Sequence, residues 1–310
     1  MTANILFSAR AALWPIYEPL ITRYLTKAGI SFNLATDFPA DQVDYVIYAP
    51  DGGIADFTPF TRLKAVLSLW AGVEKIVGNK TLTMPLARMV DHGLADGMTE
   101  WVTGHVLRYH LGMDAQIVNP NHDWVFAPAP LAKDRKIAIL GLGALGEASA
   151  RALRTLNFQV SGWSRSPKEI EGVTCHHGAD GLSLALNGAD IVVLLLPDTP
   201  ATENILNADT LALLPRGARI INPGRGPLID DDALLAALES GQVGHATLDV
   251  FRVEPLPSEH PYWAHPNVTV TPHIASETRP VTAAQVICEN IRRGENGEPF
   301  VHLVDPDLGY

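Results

Sequence analysis

Two cysteines in 310 residues, Cys175 and Cys288, are too few and too far apart for a disulfide framework, and they lack metal-ligand spacing. They read as unpaired thiols in a reducing compartment, and no metal is expected. Basic stretches are also missing. The formal net charge is −11, which favours solubility and argues against nucleic acid as a partner. No run approaches the roughly 18 apolar residues of a membrane helix, so no membrane partner is expected either. The start, Met1-Thr2-Ala3-Asn4, lacks the basic opening and small-residue cleavage site of a signal peptide. The expected location is the cytoplasm. Internal repeats and low-complexity tracts are absent too. What is present is a globular balance, 47% hydrophobic and 18% charged, in a chain long enough for two cores.

Short apolar runs alternate with helical patterns from the start. Ile5–Phe7, Ser31–Leu34, Tyr45–Tyr48 and Ala65–Leu69 read as buried strands of a parallel sheet, and Tyr17, Leu20, Ile21, Tyr24 and Leu25 recur at helix spacing. Met98 to Met113 fits a long amphipathic helix whose start beside Asp96-Gly97 reads as a hinge, and Asn119–Pro130 reads as loop. A second alternating unit follows, with strands expected at Ile137–Leu140, Gln159–Trp163, Ile191–Leu196, Arg219–Asn222, Ala246–Asp249 and Val268–Thr271. Asp230 is the expected N-cap of a helix over Asp231–Ser240 that stops at Gly241. A last helix, Val281–Arg292, is too short to stand alone and is expected to complete the first domain. The fold class is α/β: two doubly wound parallel-sheet domains, a flavodoxin-like substrate domain over 1–97 and 277–310 and a Rossmann cofactor domain over 98–276.

Lys136–Leu140 runs straight into Gly141-Leu142-Gly143-Ala144-Leu145-Gly146 and then a helical pattern. A first glycine permits the strand-to-helix turn, a second lets a pyrophosphate approach the backbone, and a third lets the helix pack on the sheet. A glycine triplet alone is weak evidence; here strand, glycines, helix and next strand stand in order. NAD-binding units usually place Asp or Glu at the end of that next strand. This chain has Trp163-Ser164-Arg165-Ser166. Without the acid, Arg165 and the two serines suit the 2′-phosphate of NADP(H), leaving NAD(H) as the lesser cofactor. A solvated surface arginine is the rival reading.

Three further segments end expected strands: Asn222–Gly226, Leu248–Pro255 and Thr271–Ala275. They carry Arg225, Glu254 and His273. Arg225 can hold a 2-keto acid by two parallel bonds. His273 can supply the proton that turns a keto oxygen into a hydroxyl. Glu254 can accept from the other ring nitrogen, fixing the tautomer and favouring imidazolium. Each residue taken singly has a bland structural reading; the three together form a hydride-transfer set. Leu196, Pro197, Asn222, Pro223, Gly224, Asp249 and Ala275, on the same edge, complete the expected cofactor contacts.

With Gly141–Gly146, Asn222–Gly226 followed by Leu228-Ile229-Asp230, Leu248–Pro257, Thr271–Ala275 and the ending Val304–Tyr310, the sequence resembles the D-2-hydroxyacid dehydrogenase family over essentially its whole length. The nearest likeness is to the glyoxylate/hydroxypyruvate reductase A type. The resemblance implies Arg225 as substrate-orienting cation, His273 as acid/base and Glu254 as its partner. It also implies that Leu69–Val73 forms a substrate loop, with Trp70, Ala71 and Gly72 at the carboxylate, and it places Tyr48 and Arg88 near the substrate. A homodimer is implied as well, with the Asn119–Pro130 loop near the interface and Trp124 over the partner's active site.

Two positions depart from the family pattern. Ser164 replaces the usual acid, and Pro223-Gly224 precedes Arg225 where bulkier residues are common. Within the family, a phosphoglycerate dehydrogenase often carries a regulatory domain for which this chain has no room, and formate dehydrogenases pair the histidine with Gln. A dinucleotide-sensing module with little turnover is the alternative from another class.

Overall fold

The computed structural model describes residues 2–310. The first elements in chain order are β1 (Ala3–Ser8), α1 (Trp14–Lys27), β2 (Phe32–Ala35), β3 (Tyr45–Tyr48), β4 (Ala65–Ser68) and β5 (Leu86–Ala87). Next come α2 (His92–Leu111), α3 (Asp114–Ile117), β6 (Lys136–Leu140), α4 (Ala144–Thr155), β7 (Gln159–Ser164), β8 (Thr174–His177) and α5 (Gly178–Leu186). The rest are β9 (Ile191–Leu194), α6 (Ala208–Ala212), β10 (Ala218–Asn222), α7 (Asp231–Glu239), β11 (Val243–Leu248), β12 (Val268–Val270) and α8 (Pro280–Asn296). They fold as two units, Met1–Leu94 with Thr278–Tyr310, and Ala95–Glu277. No helix among the described residues is long and apolar enough to cross a membrane.

In the first unit all strand pairs are parallel, in the order β2-β1-β3-β4-β5. That is the flavodoxin-like order. A strand covered on both faces is apolar along most of its length, and the runs at β3 and β4 are buried throughout. Successive residues serve opposite faces: Tyr45 and Ile47 join the cluster containing Tyr17, Ile21 and Leu25 of α1, and Val46 and Tyr48 join the other. Ala283, Ala284, Ile287, Cys288 and Ile291 of α8 pack into the α1 face. Burial pushes the Cys288 thiol up to about 12, and both cysteines are free.

The second unit's sheet runs β12-β11-β10-β9-β6-β7-β8, again wholly parallel. Counted from β6 this is the dinucleotide-binding order with one strand added, and its winding reverses between β6 and β9. Ile137 and Ile139 face one core cluster while Ala138 and Leu140 face the other. The α/β class and the two doubly wound sheets follow the alternation read from the sequence. Short edge strands β5 and β8 do not; β8 reads Thr-Cys-His-His and is half-exposed, so it carries no apolar run.

One boundary differs. α2 begins at His92, so Gly97 lies inside the helix and does not mark its start. A Cβ there would stand 2.7 Å from Ser276 Oγ, so the glycine serves close approach. Beyond it Met98, Val102, Val106 and Tyr109 face Ile137 and Ile139. Asp230 caps α7 as read, accepting from Ala233 N at 3.0 Å.

His245 on β11 meets Thr269 Oγ1 at 3.0 Å, its ring 5.4 Å from that of Tyr109. Burial first, then Arg108, pushes its pKa from 6.5 down to about 4. The stability this neutral ring contributes is therefore complete above pH about 6.5 and is lost as the pH falls toward about 4. Thermal midpoints measured across that window should fall less steeply for His245→Gln than for the parent; parallel curves would refute the assignment.

Candidate active site

The carboxyl ends of β6, β7, β10, β11 and β12 carry the chemistry-bearing residues of the second unit. After β6 the chain turns at Gly141, φ 107°, where a Cβ would lie 2.5 Å from Leu195 O. At Gly146 a Cβ would lie 1.8 Å from Gly141 O. Protein packing therefore demands those two glycines. Gly143 is different, because a Cβ there would meet nothing within 4 Å. Its missing side chain leaves open space at the start of α4, where it is the N-cap and offers no side-chain acceptor. The first N–H groups of α4, at Ala144, Leu145 and Gly146, need acceptors from outside the helix. That combination fits a dinucleotide pyrophosphate.

At the end of β7 no carboxylate is present. Trp163 is buried, with its indole N–H donated to Gly178 O at 2.7 Å and its carbonyl accepting from Gly141 N at 2.8 Å. It shapes the turn. Ser164 is also buried, and its hydroxyl donates to Ser166 O at 2.8 Å. That proton is thus committed to the loop, and of the two serines expected at a 2′-phosphate only Ser166 is exposed, beside Arg165. Lys168, which the sequence reading passed over, is exposed two residues on; a second cation after the strand end was its available signal.

Asn222 is 1% exposed and spends both ends of its amide on its own loop, donating to Arg225 O at 2.9 Å and accepting from Gly224 N at 3.1 Å. Pro223 and Gly224 are buried beside it. These residues, expected among the cofactor contacts, form the support under Arg225. Arg225 itself is half-buried and donates from Nη1 to Gly224 O at 2.7 Å. Leu196 is buried at the β9 end, and Pro197 O accepts from Thr202 Oγ1 at 2.7 Å.

Glu254 and His273 come together across two loops. His273 Nδ1 and Glu254 Oε2 are 2.8 Å apart, and Glu254 Oε1 accepts from Phe251 N at 3.0 Å. A carboxylate cannot donate, so Nδ1 carries the proton and Nε2 is left for a ligand. His273 sits in the left-handed region, φ 53°, a conformation that needs holding. Asp249 holds it. Its carboxylate is wholly buried and accepts from Thr271 Oγ1 at 2.6 Å, Ile274 N at 2.9 Å and Ala275 N at 2.9 Å, while its carbonyl accepts from His273 N at 2.8 Å. The sequence placed Asp249 and Ala275 against the cofactor and gave no hint of this bracket.

In the first unit, the loop after β4 is clamped by Ser68, whose hydroxyl donates to Trp70 O at 2.9 Å and accepts from Trp70 N at 3.0 Å. Ser68 was not singled out from sequence. Trp70 is 40% exposed, and the N–H groups of Ala71 and Gly72 meet no acceptor among the described residues. Arg88 is half-buried; burial lowers its pKa, against an opposing effect of Tyr310. Tyr48, expected near the substrate, is 5% exposed with its ring 6.1 Å from that of Phe57, and burial raises its hydroxyl pKa.

Residues 105–275 match the model of the D-isomer specific 2-hydroxyacid dehydrogenase NAD-binding domain. The chain is 42% identical over 257 residues to glyoxylate/hydroxypyruvate reductase A of Serratia proteamaculans, covering 80% of this chain and 82% of that one. A D-isomer specific 2-hydroxyacid dehydrogenase of Xanthobacter autotrophicus Py2, solved with NADPH and MES, superposes with TM-score 0.91 at 39% identity, covering 100% of both chains. The NADPH-dependent glyoxylate/hydroxypyruvate reductase of Sinorhizobium meliloti, solved with NADP and sulfate, does so with TM-score 0.85 at 34% identity, again over 100% of both. With its two doubly wound sheets, its uncapped glycine turn and its paired His273 and Glu254, this chain belongs to the D-isomer specific 2-hydroxyacid dehydrogenase family of NAD(P)-dependent oxidoreductases.

Proposed function

We propose that the protein reduces small 2-keto acids, glyoxylate and hydroxypyruvate among them, to D-2-hydroxy acids with NADPH. The observation that carries this is the His273–Glu254 pair at 2.8 Å, on the same sheet edge as Arg225 and the glycine turn. The relatives named for glyoxylate and hydroxypyruvate, and those solved with NADPH or NADP, support the choice of substrate and cofactor.

Gly141, Gly143, Ala144, Leu145 and Gly146 would hold the pyrophosphate, and Arg165, Ser166 and Lys168 the 2′-phosphate. When bound, the nicotinamide supplies the hydride. Arg225 orients the substrate by a forked, charge-assisted pair of bonds. His273 donates the proton from Nε2 to the keto oxygen as it becomes a hydroxyl, and Glu254 keeps the ring in the required tautomer and rotation. In the first unit, the N–H groups of Ala71 and Gly72 are assigned to a substrate carboxylate, with Trp70 and Arg88 near it.

The protein is read as a cytoplasmic homodimer. Its free thiols suit a reducing compartment. The segment from Ile117 to Leu131 exposes Ile117 (74%), Trp124 (99%) and Phe126 (88%), an apolar surface suited to covering by a second copy. Sedimentation should therefore give the mass of two chains; a monomer at micromolar concentration would remove this part of the reading.

His273→Ala and Arg225→Ala should each lower kcat/KM for glyoxylate and hydroxypyruvate by roughly 10²-fold or more, measured by NADPH oxidation. Intact turnover in either variant would refute the assignment. Arg165→Ala should weaken NADPH binding by roughly 10-fold or more, the weight of a charge-assisted bond, and barely alter NADH binding. Equal losses for the two cofactors would count against a 2′-phosphate site.

A further inference from the structure

Arg252 stands two residues before Glu254 on the loop after β11, and neither proton transfer nor cofactor binding uses it. Its guanidinium reaches two segments of the second unit. Nη2 donates to Ile229 O at 2.6 Å and Pro227 O at 3.4 Å, and also to the side-chain oxygen of Asn204. Nε lies 3.4 Å from Asp231 Oδ2, and Nη1 lies 3.6 Å from Glu203 Oε1. The stretch from Pro227 to Asp231 is the one that leads from Arg225 into α7.

The two loops touch backbone to backbone. A Cβ on Gly226 would lie 2.0 Å from Phe251 C and 2.4 Å from Arg252 N. Asn204, itself in the left-handed region at φ 53°, donates its N–H to Pro227 O at 2.8 Å, and Leu206 N donates to Leu228 O at 3.1 Å. Tyr262 adds a hydroxyl bond to Asp231 Oδ1 at 2.8 Å. Exposed ion pairs of 3.4 and 3.6 Å contribute little to stability alone. A planar fork that also takes up two loop carbonyls is a geometric constraint, and a lysine cannot reproduce it.

We propose that Arg252 is a positioning residue: it latches the Arg225 loop to the Glu254 loop and so sets where Arg225 meets the substrate relative to His273. This rests on the reading of Arg225, Glu254 and His273 given above. Small displacements of a substrate-orienting group are expensive in rate, on the order of 10²-fold for about 1 Å.

The test compares the full chain with Arg252→Ala and Arg252→Lys, using glyoxylate and NADPH. In Arg252→Ala, kcat/KM for glyoxylate should fall roughly 10- to 100-fold while the Kd of NADPH stays within about twofold. Arg252→Lys should recover part of the loss. Hydrogen exchange reads the latch without turnover: the amides of Gly226, Leu228, Ile229 and Asp230 should exchange faster in Arg252→Ala, and amides 141–146 should not. Unchanged kinetics with unchanged exchange would overturn the proposal. So would a matched loss of NADPH affinity and thermal midpoint, which marks general destabilisation. If the parent enzyme reduces no 2-keto acid, the functional reading fails and exchange alone decides the latch. If Arg252→Ala does not fold, Arg252→Lys supports the same comparison.

Discussion

A carboxylate with no solvent exposure persists in a protein only when donors converge on it, and Asp249 at the end of β11 meets that condition through Thr271, Ile274 and Ala275. The donors all come from one short loop. Their convergence draws the backbone around His273 into the left-handed region and aims its ring at Glu254. The His273–Glu254 pair is thus held from beneath by a buried side chain. Asn222 does the same for Arg225, with its amide spent on the loop it supports.

Both brackets stand at the carboxyl ends of parallel strands, and this is a consequence of the sheet. A parallel ladder needs helices over both faces, so its strand ends on one edge open into loops that packing leaves short of partners. The glycine turn exploits the same edge. Two of its glycines satisfy backbone contacts at Leu195 and Gly141, and Gly143 alone leaves space at an uncapped helix start. Structural necessity and cofactor fit are therefore separable within one motif.

Part of this architecture is legible in the sequence. Runs buried on both faces are largely apolar, which is why β1, β3, β4, β6 and β9 announce themselves. β5 is only two residues long and β8 reads Thr-Cys-His-His, so neither carries an apolar run to be read, whereas the other edge strands, β2 and β12, do. Gly97 misled because a glycine beside an aspartate looks like a boundary, whereas here it accommodates Ser276 within a helix.

The sequence by itself determined the α/β class, the glycine turn after β6, the missing acid after β7 and the presence of Arg225, Glu254 and His273 after strands of one sheet, because each rests on local periodicity or on residue chemistry at a strand end. Only the tertiary structure decided who holds these residues. Asp249 bonds to the Thr271–Ala275 loop and Arg252 to Pro227 and Ile229, and no local pattern records a hydrogen bond that closes only when separate strands lie side by side; Asn222 and Ser68, by contrast, bond within their own loops.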